Sequence, residues 1–161
     1  MRLAAIAFIL AQASTSGAQR LPSATGPLSI PIVGEWQLNR ARTHYGPGVD
    51  VRRSERLSCA VEGSRVRCII QSVRANGQEL IGRFAATLDG ARSSVIGIPD
   101  VDEVHLRRPS NTLLDATFLS RGKPVFGYRA LQSEDGRSLM IISVDPVSRV
   151  ALTSVVVNDR P

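Results

Sequence analysis

Cysteine and histidine are scarce in this chain and lysine is nearly absent: two Cys, two His, and Lys123 alone among 161 residues. A zinc-type centre needs three or four ligands at recurrent spacing, which Cys59, Cys68, His44 and His105 do not supply. The cysteines are too far apart for a Cys-x-x-Cys redox motif, and the chain has no Gly-x-Ser-x-Gly, no His-Glu-x-x-His and no phosphate-cradling glycine loop. Aromatic residues make up only 4%. That is too few for the two interfacial girdles of an outer-membrane barrel or for base-stacking platforms along single-stranded nucleic acid. Long apolar runs are missing too, since Leu3 to Ala11 falls well short of the about 20 residues a spanning helix needs. These absences point away from an enzyme, a cofactor, a nucleic-acid partner and a membrane span.

The N-terminal stretch MRLAAIAFILAQA carries a positive charge at Arg2, an apolar run, and small-residue cleavage sites ending at Ala13 or, further on, Ala18. That is the pattern of a secretory signal peptide, placed at residues 1–18, and it predicts a periplasmic or secreted protein. Residues 19–32, rich in Pro, Ser and Gly, read as an extended arm. The remainder, 33–161, has the length of a single domain able to bury one core. A formal charge of +6 rests almost wholly on arginine. Dispersed, solvated charge is the simpler reading of it, and nothing in the sequence indicates an oligomeric state.

From Val33 onward short β-branched and apolar runs alternate with tight turn signals such as Asn76-Gly77, Asp89-Gly90, Arg121-Gly122 and Asp135-Gly136. No amphipathic helix survives between them, and the loop from Arg40 to Asp50 is too rich in Gly and Pro to form one. In LSCAVEGSRVRCII, a two-residue loop at Gly63-Ser64 of type II′ sets Val61 opposite Val66 and Cys59 opposite Cys68 in a non-hydrogen-bonded pair. Cα atoms in such pairs lie about 4.5 Å apart, within disulfide reach, so the two cysteines read as a staple. A disulfide requires an oxidising compartment, which agrees with the leader.

The next turn tests the first. A three-residue loop at Ala75-Asn76-Gly77 ending in a bulge places Leu80, Gly82, Phe84 and Ala86 opposite Ser72, Ile70, Cys68 and Val66. One apolar face then runs through three strands, while Arg56, Ser58, Arg65 and Arg67 point away. About ten short strands in such a meander must deal with two edges, and closure into an antiparallel up-and-down β-barrel removes them. The fold expected is all-β.

At the first strand, VGEWQLN resembles the Gly-x-Trp opening of lipocalins and related calycin barrels, with Gly34 and Trp36 matching. In that family the tryptophan closes one end of the barrel and packs against an arginine near the C-terminus, and Arg160 stands where it would be expected. Most of the mature chain is similar to small exported bacterial lipocalin-like proteins. The helix that lipocalins carry before their last strand is missing, and the Arg40 to Asp50 loop is too short for the helical lid of fatty-acid-binding barrels.

Two functions follow from these readings. One is a binding module for a small apolar ligand, lined by Trp36, Leu57, Ile70, Phe84, Leu106, Phe118, Phe126 and Tyr128, where Ser72, Gly82, Ala86 and Ala116 leave room; Ser72 and the Tyr128 hydroxyl are the donors expected inside. A filled core with function on the outer surface is the alternative state of the same barrel. The other is an interaction protein with a protein partner, similar to exported inhibitors of secreted metalloproteases, acting through its N-terminal arm. Which faces Phe118 and Phe126 present stays open, because the Arg121-Gly122 turn permits more than one register. His105 is expected on the solvent face beside Glu103 and Arg107, and Asp100, Asp102 and Glu103 in a solvated turn.

Overall fold

The computed structural model describes residues 30–47, 49 and 51–161, so the expected signal peptide and most of the arm lie outside the described residues. Ten strands follow one another: β1 (Gly34–Leu38), β2 (Arg52–Glu62), β3 (Arg65–Arg74), β4 (Glu79–Ala86), β5 (Asp89–Ile96), β6 (Glu103–Arg107), β7 (Leu113–Ser120), β8 (Lys123–Gln132), β9 (Ser138–Val144) and β10 (Ala151–Asp159). Each pairs antiparallel with its neighbours in sequence, and β1 pairs with β10 to close the barrel. Closure leaves no unpaired edge. The up-and-down all-β barrel expected from the turn spacing is therefore the observed fold, and its shape is consistent with a calycin-like barrel. A single 3-10 turn, Arg40–Arg42, interrupts the first loop, its Asn39 side chain accepting the Arg42 N–H. Among the described residues no helix is long and apolar enough to cross a membrane.

Both tested registers are observed. Leu57 faces Ile70, Cys59 faces Cys68 and Val61 faces Val66. The cysteines are bonded, with Cα atoms 4.2 Å apart, as the close pairing of that position allows. Such a bond fits an oxidising environment outside the cytoplasm. In the next hairpin Cys68 faces Phe84, Ile70 faces Gly82 and Ser72 faces Leu80. Gly77 takes the left-handed conformation that the bulged turn requires, at φ +86°. The open question at β7 and β8 resolves inward: Phe118 pairs with Phe126, and Val125 is the extra residue between that pair and Leu119–Pro124.

Strand alternation sorts the turns onto two ends. One end gathers the start of β1, the C-terminus and the β2–β3, β4–β5, β6–β7 and β8–β9 turns. The other gathers the loop after β1 and the β3–β4, β5–β6, β7–β8 and β9–β10 turns. The core runs between them, from Trp36 and Cys68 through Phe84, Leu106, Leu114 and Leu139.

Candidate ligand-binding cavity

The end at the start of β1 is sealed. Trp36 is fully buried, and its indole Nε1 donates to the carbonyl of Ile32 at 2.9 Å, which satisfies the ring's only polar atom. The Arg160 guanidinium lies over the indole, 4.0 Å from the ring centroid. It also donates to the carbonyls of Val33 and Gly136, joining the chain before β1 to the β8–β9 turn. Gly34 makes this possible: at φ +127° its backbone suits glycine, and an added Cβ would sit 1.9 Å from an Arg160 nitrogen. The disulfide adjoins the same end, Cys59 pairing with Gly34 across β1 and β2. Residues 30–32, expected to extend the arm, instead form a turn whose Ile32 is buried in the core.

Toward the other end the barrel encloses a cavity of about 400 Å³, which lies within the range of small-ligand pockets. Leu57, Ile70, Phe84, Leu106, Phe118, Phe126 and Tyr128 all line it. Trp36 does not border it, because the indole is taken up in sealing the opposite end. One wall is aromatic: Phe118 touches Phe84, Phe126 and Tyr128 with ring centroids 6.0, 4.8 and 6.0 Å away. The space exists because Ala116, Ala130, Ser72, Ser143 and Ser154 present short side chains to it. At Gly82 the expected gap is closed, since Ile98 from the β5–β6 turn leans over the bare backbone.

The rim of this end mixes exposed charged residues such as Asp100, Asp102, Arg121 and Lys123 with exposed aliphatic ones. Val51, Ile96, Val125, Val147, Val150 and Leu152 are all exposed there, six of the nine exposed large hydrophobic residues among those described. Of these, Val125 and Leu152 also line the cavity, which places apolar side chains where it meets this rim.

The expectation of few interior donors is corrected by three charged residues that line the cavity, Arg52, Glu55 and Arg74. Buried Glu55 and half-buried Arg52 form an ion pair that borders the cavity, with the Tyr128 hydroxyl hydrogen-bonded to the same guanidinium. Burial pushes the Glu55 carboxyl above the ordinary glutamate range, the Arg52 charge and hydrogen bond offsetting this only in part. Glu55 was legible, since it shares the inward parity of Leu57 and Cys59. Arg52 was not: strict alternation sends it outward, and a register shift between Arg52 and Ser54 turns it inward opposite Arg74. The Tyr45 hydroxyl, from the loop after β1, is buried beside the Arg52 backbone, with Arg52, Glu55 and Arg40 as electrostatic neighbours; burial pushes it up.

Other features singled out in the sequence do other work. His105 lies on the outer face, half-buried between the Arg92 and Thr117 positions. The Asp102 carboxylate accepts the Arg121 backbone N–H at 2.9 Å, holding the β7–β8 turn, and His44 pairs by backbone with Val155 while its side chain is exposed. A second hollow, about 430 Å³, lies across β1 to β4 and is lined by Gln37, Arg56, Gln71 and Ile81 from the outer face together with Trp36, Glu55 and Ser72 from the inward rows. Its wall mixes charged, polar and apolar side chains. The inhibitor-like alternative turns on residues 19–29, outside the described residues. No protein-family model, curated protein or solved structure matches this chain.

Proposed function

We propose that this barrel is an exported, lipocalin-like carrier that holds one small, mostly apolar molecule. The observation that carries the reading is the cavity of about 400 Å³, walled by aliphatic and aromatic side chains and opening at the end with the exposed aliphatic rim. An apolar guest would remove both its own surface and the cavity wall from water at about 25 cal/mol per Å² of apolar area, the main driving force such a site can use. The expected leader and the disulfide support work in a periplasm or outside the cell, where an apolar molecule needs protection from water. Native mass spectrometry of protein purified from its own source, followed by lipid extraction, tests the reading. A bound organic mass, lost when the cavity is filled by substitution, is the expected result. A ligand-free protein that also fails to take up any apolar probe would leave the outer surface as the functional face.

A further inference from the structure

The cavity is graded along its axis. The β2–β3 ladder gauges its depth, since the pairs run from Arg52–Arg74 beside the mouth through Glu55–Ser72 and Leu57–Ile70 to Cys59–Cys68 at the sealed end. Arg52, Glu55, Ser72 and Arg74 line the two upper steps, and the aliphatic Leu57 and Ile70 line the third. Other strands repeat the order. Ser143 and Ser154 line the mouth halves of β9 and β10, whereas Leu106, Leu114 and Val156 lie deeper. Ile32 forms part of the floor, and its carbonyl accepts from Trp36 Nε1. The buried amide of Asn158, next inward after Val156 on β10, is not among the groups that line the space.

We infer that the barrel takes a single-headed amphiphile tail-first, with the polar head at the level of Arg52 and Arg74 and an unsubstituted hydrocarbon end on the floor beside Trp36. The inference deepens the carrier reading above and rests on it. A hydrocarbon segment laid over Arg52, Glu55 and Arg74 would strip water from charged groups and offer no hydrogen bond in return. A head placed there finds partners of both kinds, donors on the guanidinium groups and acceptors on the Glu55 carboxylate. A second polar group at the far end would meet aliphatic side chains such as Ile32, Leu57 and Leu106, and would lose its hydration without a replacement. The ligand class is therefore a chain or ring system that is polar at one end only.

Trp36 is the only tryptophan and stands behind the floor, so a bromine atom, which quenches indole emission at short range, reports which end of a chain arrives there. Dodecanol and dodecanoic acid, each brominated either at the terminal carbon or at the carbon next to the head, are the probes. Quenching is expected to be stronger with the terminal bromine, whichever head the chain carries. Calorimetry with two isomeric diols of dodecane supplies a second measurement. The vicinal diol, with both hydroxyls at one end, should bind about tenfold or more tightly than the diol with a hydroxyl at each end, because only the latter buries a hydroxyl on the floor. Equal quenching from the two bromine positions, stronger quenching from the one next to the head, or equal binding of the diols overturns the tail-first assignment and leaves the carrier reading intact. Binding of none of these chains overturns both.

Discussion

Single residues act here through what they seal. Trp36 has no freedom to meet a ligand, because Ile32, Gly34 and Arg160 hold its two faces and its edge. Replacing Arg160 with Ala removes the cation from the ring and the donors from Val33 and Gly136. A loss of about 0.5 to 2 kcal/mol is expected in chemical denaturation, with a shift in emission that the single tryptophan reports without ambiguity. An unchanged midpoint and spectrum would mean the lid is held by other contacts.

At the scale of elements, two joints carry unequal loads. The β2–β3 hairpin is long, in register over most of its length and cross-linked by Cys59–Cys68. The bond closes a short loop, so its removal by Cys→Ser at both positions should lower stability by about 3 kcal/mol or less, without changing the ladder seen by amide exchange. The closing joint is weaker, with register pairs only at Gln37–Asp159 and Leu38–Asn158. Side chains supplement it. The Asp159 carboxylate accepts from Asn39 Nδ2 at 2.6 Å, Ser138 Oγ at 2.7 Å and Arg42 Nη1 at 2.9 Å, tying the first loop to β9 and β10. These donors, Asn39 first, hold the Asp159 carboxyl below the ordinary aspartate range. A carboxyl whose folded-state pKa is depressed stabilises the fold above its unfolded value and loses that contribution as pH falls through the folded one. Comparing Asp159→Asn with the wild type across pH should therefore give a stability gap that is full above about pH 5 and closes as pH falls below the ordinary aspartate range. A gap independent of pH would assign the joint to neutral hydrogen bonds alone.

For the whole molecule the decisive quantity is the balance of volume inside the barrel. Ten strands enclose more width than the short side chains at Ala116, Ala130, Ser72 and Ser143 fill, and the excess collects at the rim-side end because Trp36 occupies the other. Ala116→Leu projects three more carbons into that space. Since a void receives them, the strain should stay below the about 1 to 3 kcal/mol usual for overpacked cores, while any co-purifying small molecule is lost. A variant that folds and still carries the same bound mass would place the ligand elsewhere.

The sequence by itself determined whatever depends on neighbours along the chain. Turn residues and strict strand alternation set the registers of β2 to β4, the inward row from Leu57 through Phe84, and the pairing of the cysteines, because a one-residue slip would reverse every side chain between core and solvent. The place of Gly34, Trp36 and Arg160 was legible as well, through the resemblance of the first strand. Only the tertiary structure decided what depends on departures from alternation and on volume. The shift between Arg52 and Ser54 turns a charge inward with no mark in the sequence, and the extra residue at Val125 selects one of two registers that the turn alone permitted. The cavity belongs to the same class: whether small residues on different strands leave a hole depends on how far neighbours such as Ile98 lean across, a sum over the whole barrel that no local pattern encodes.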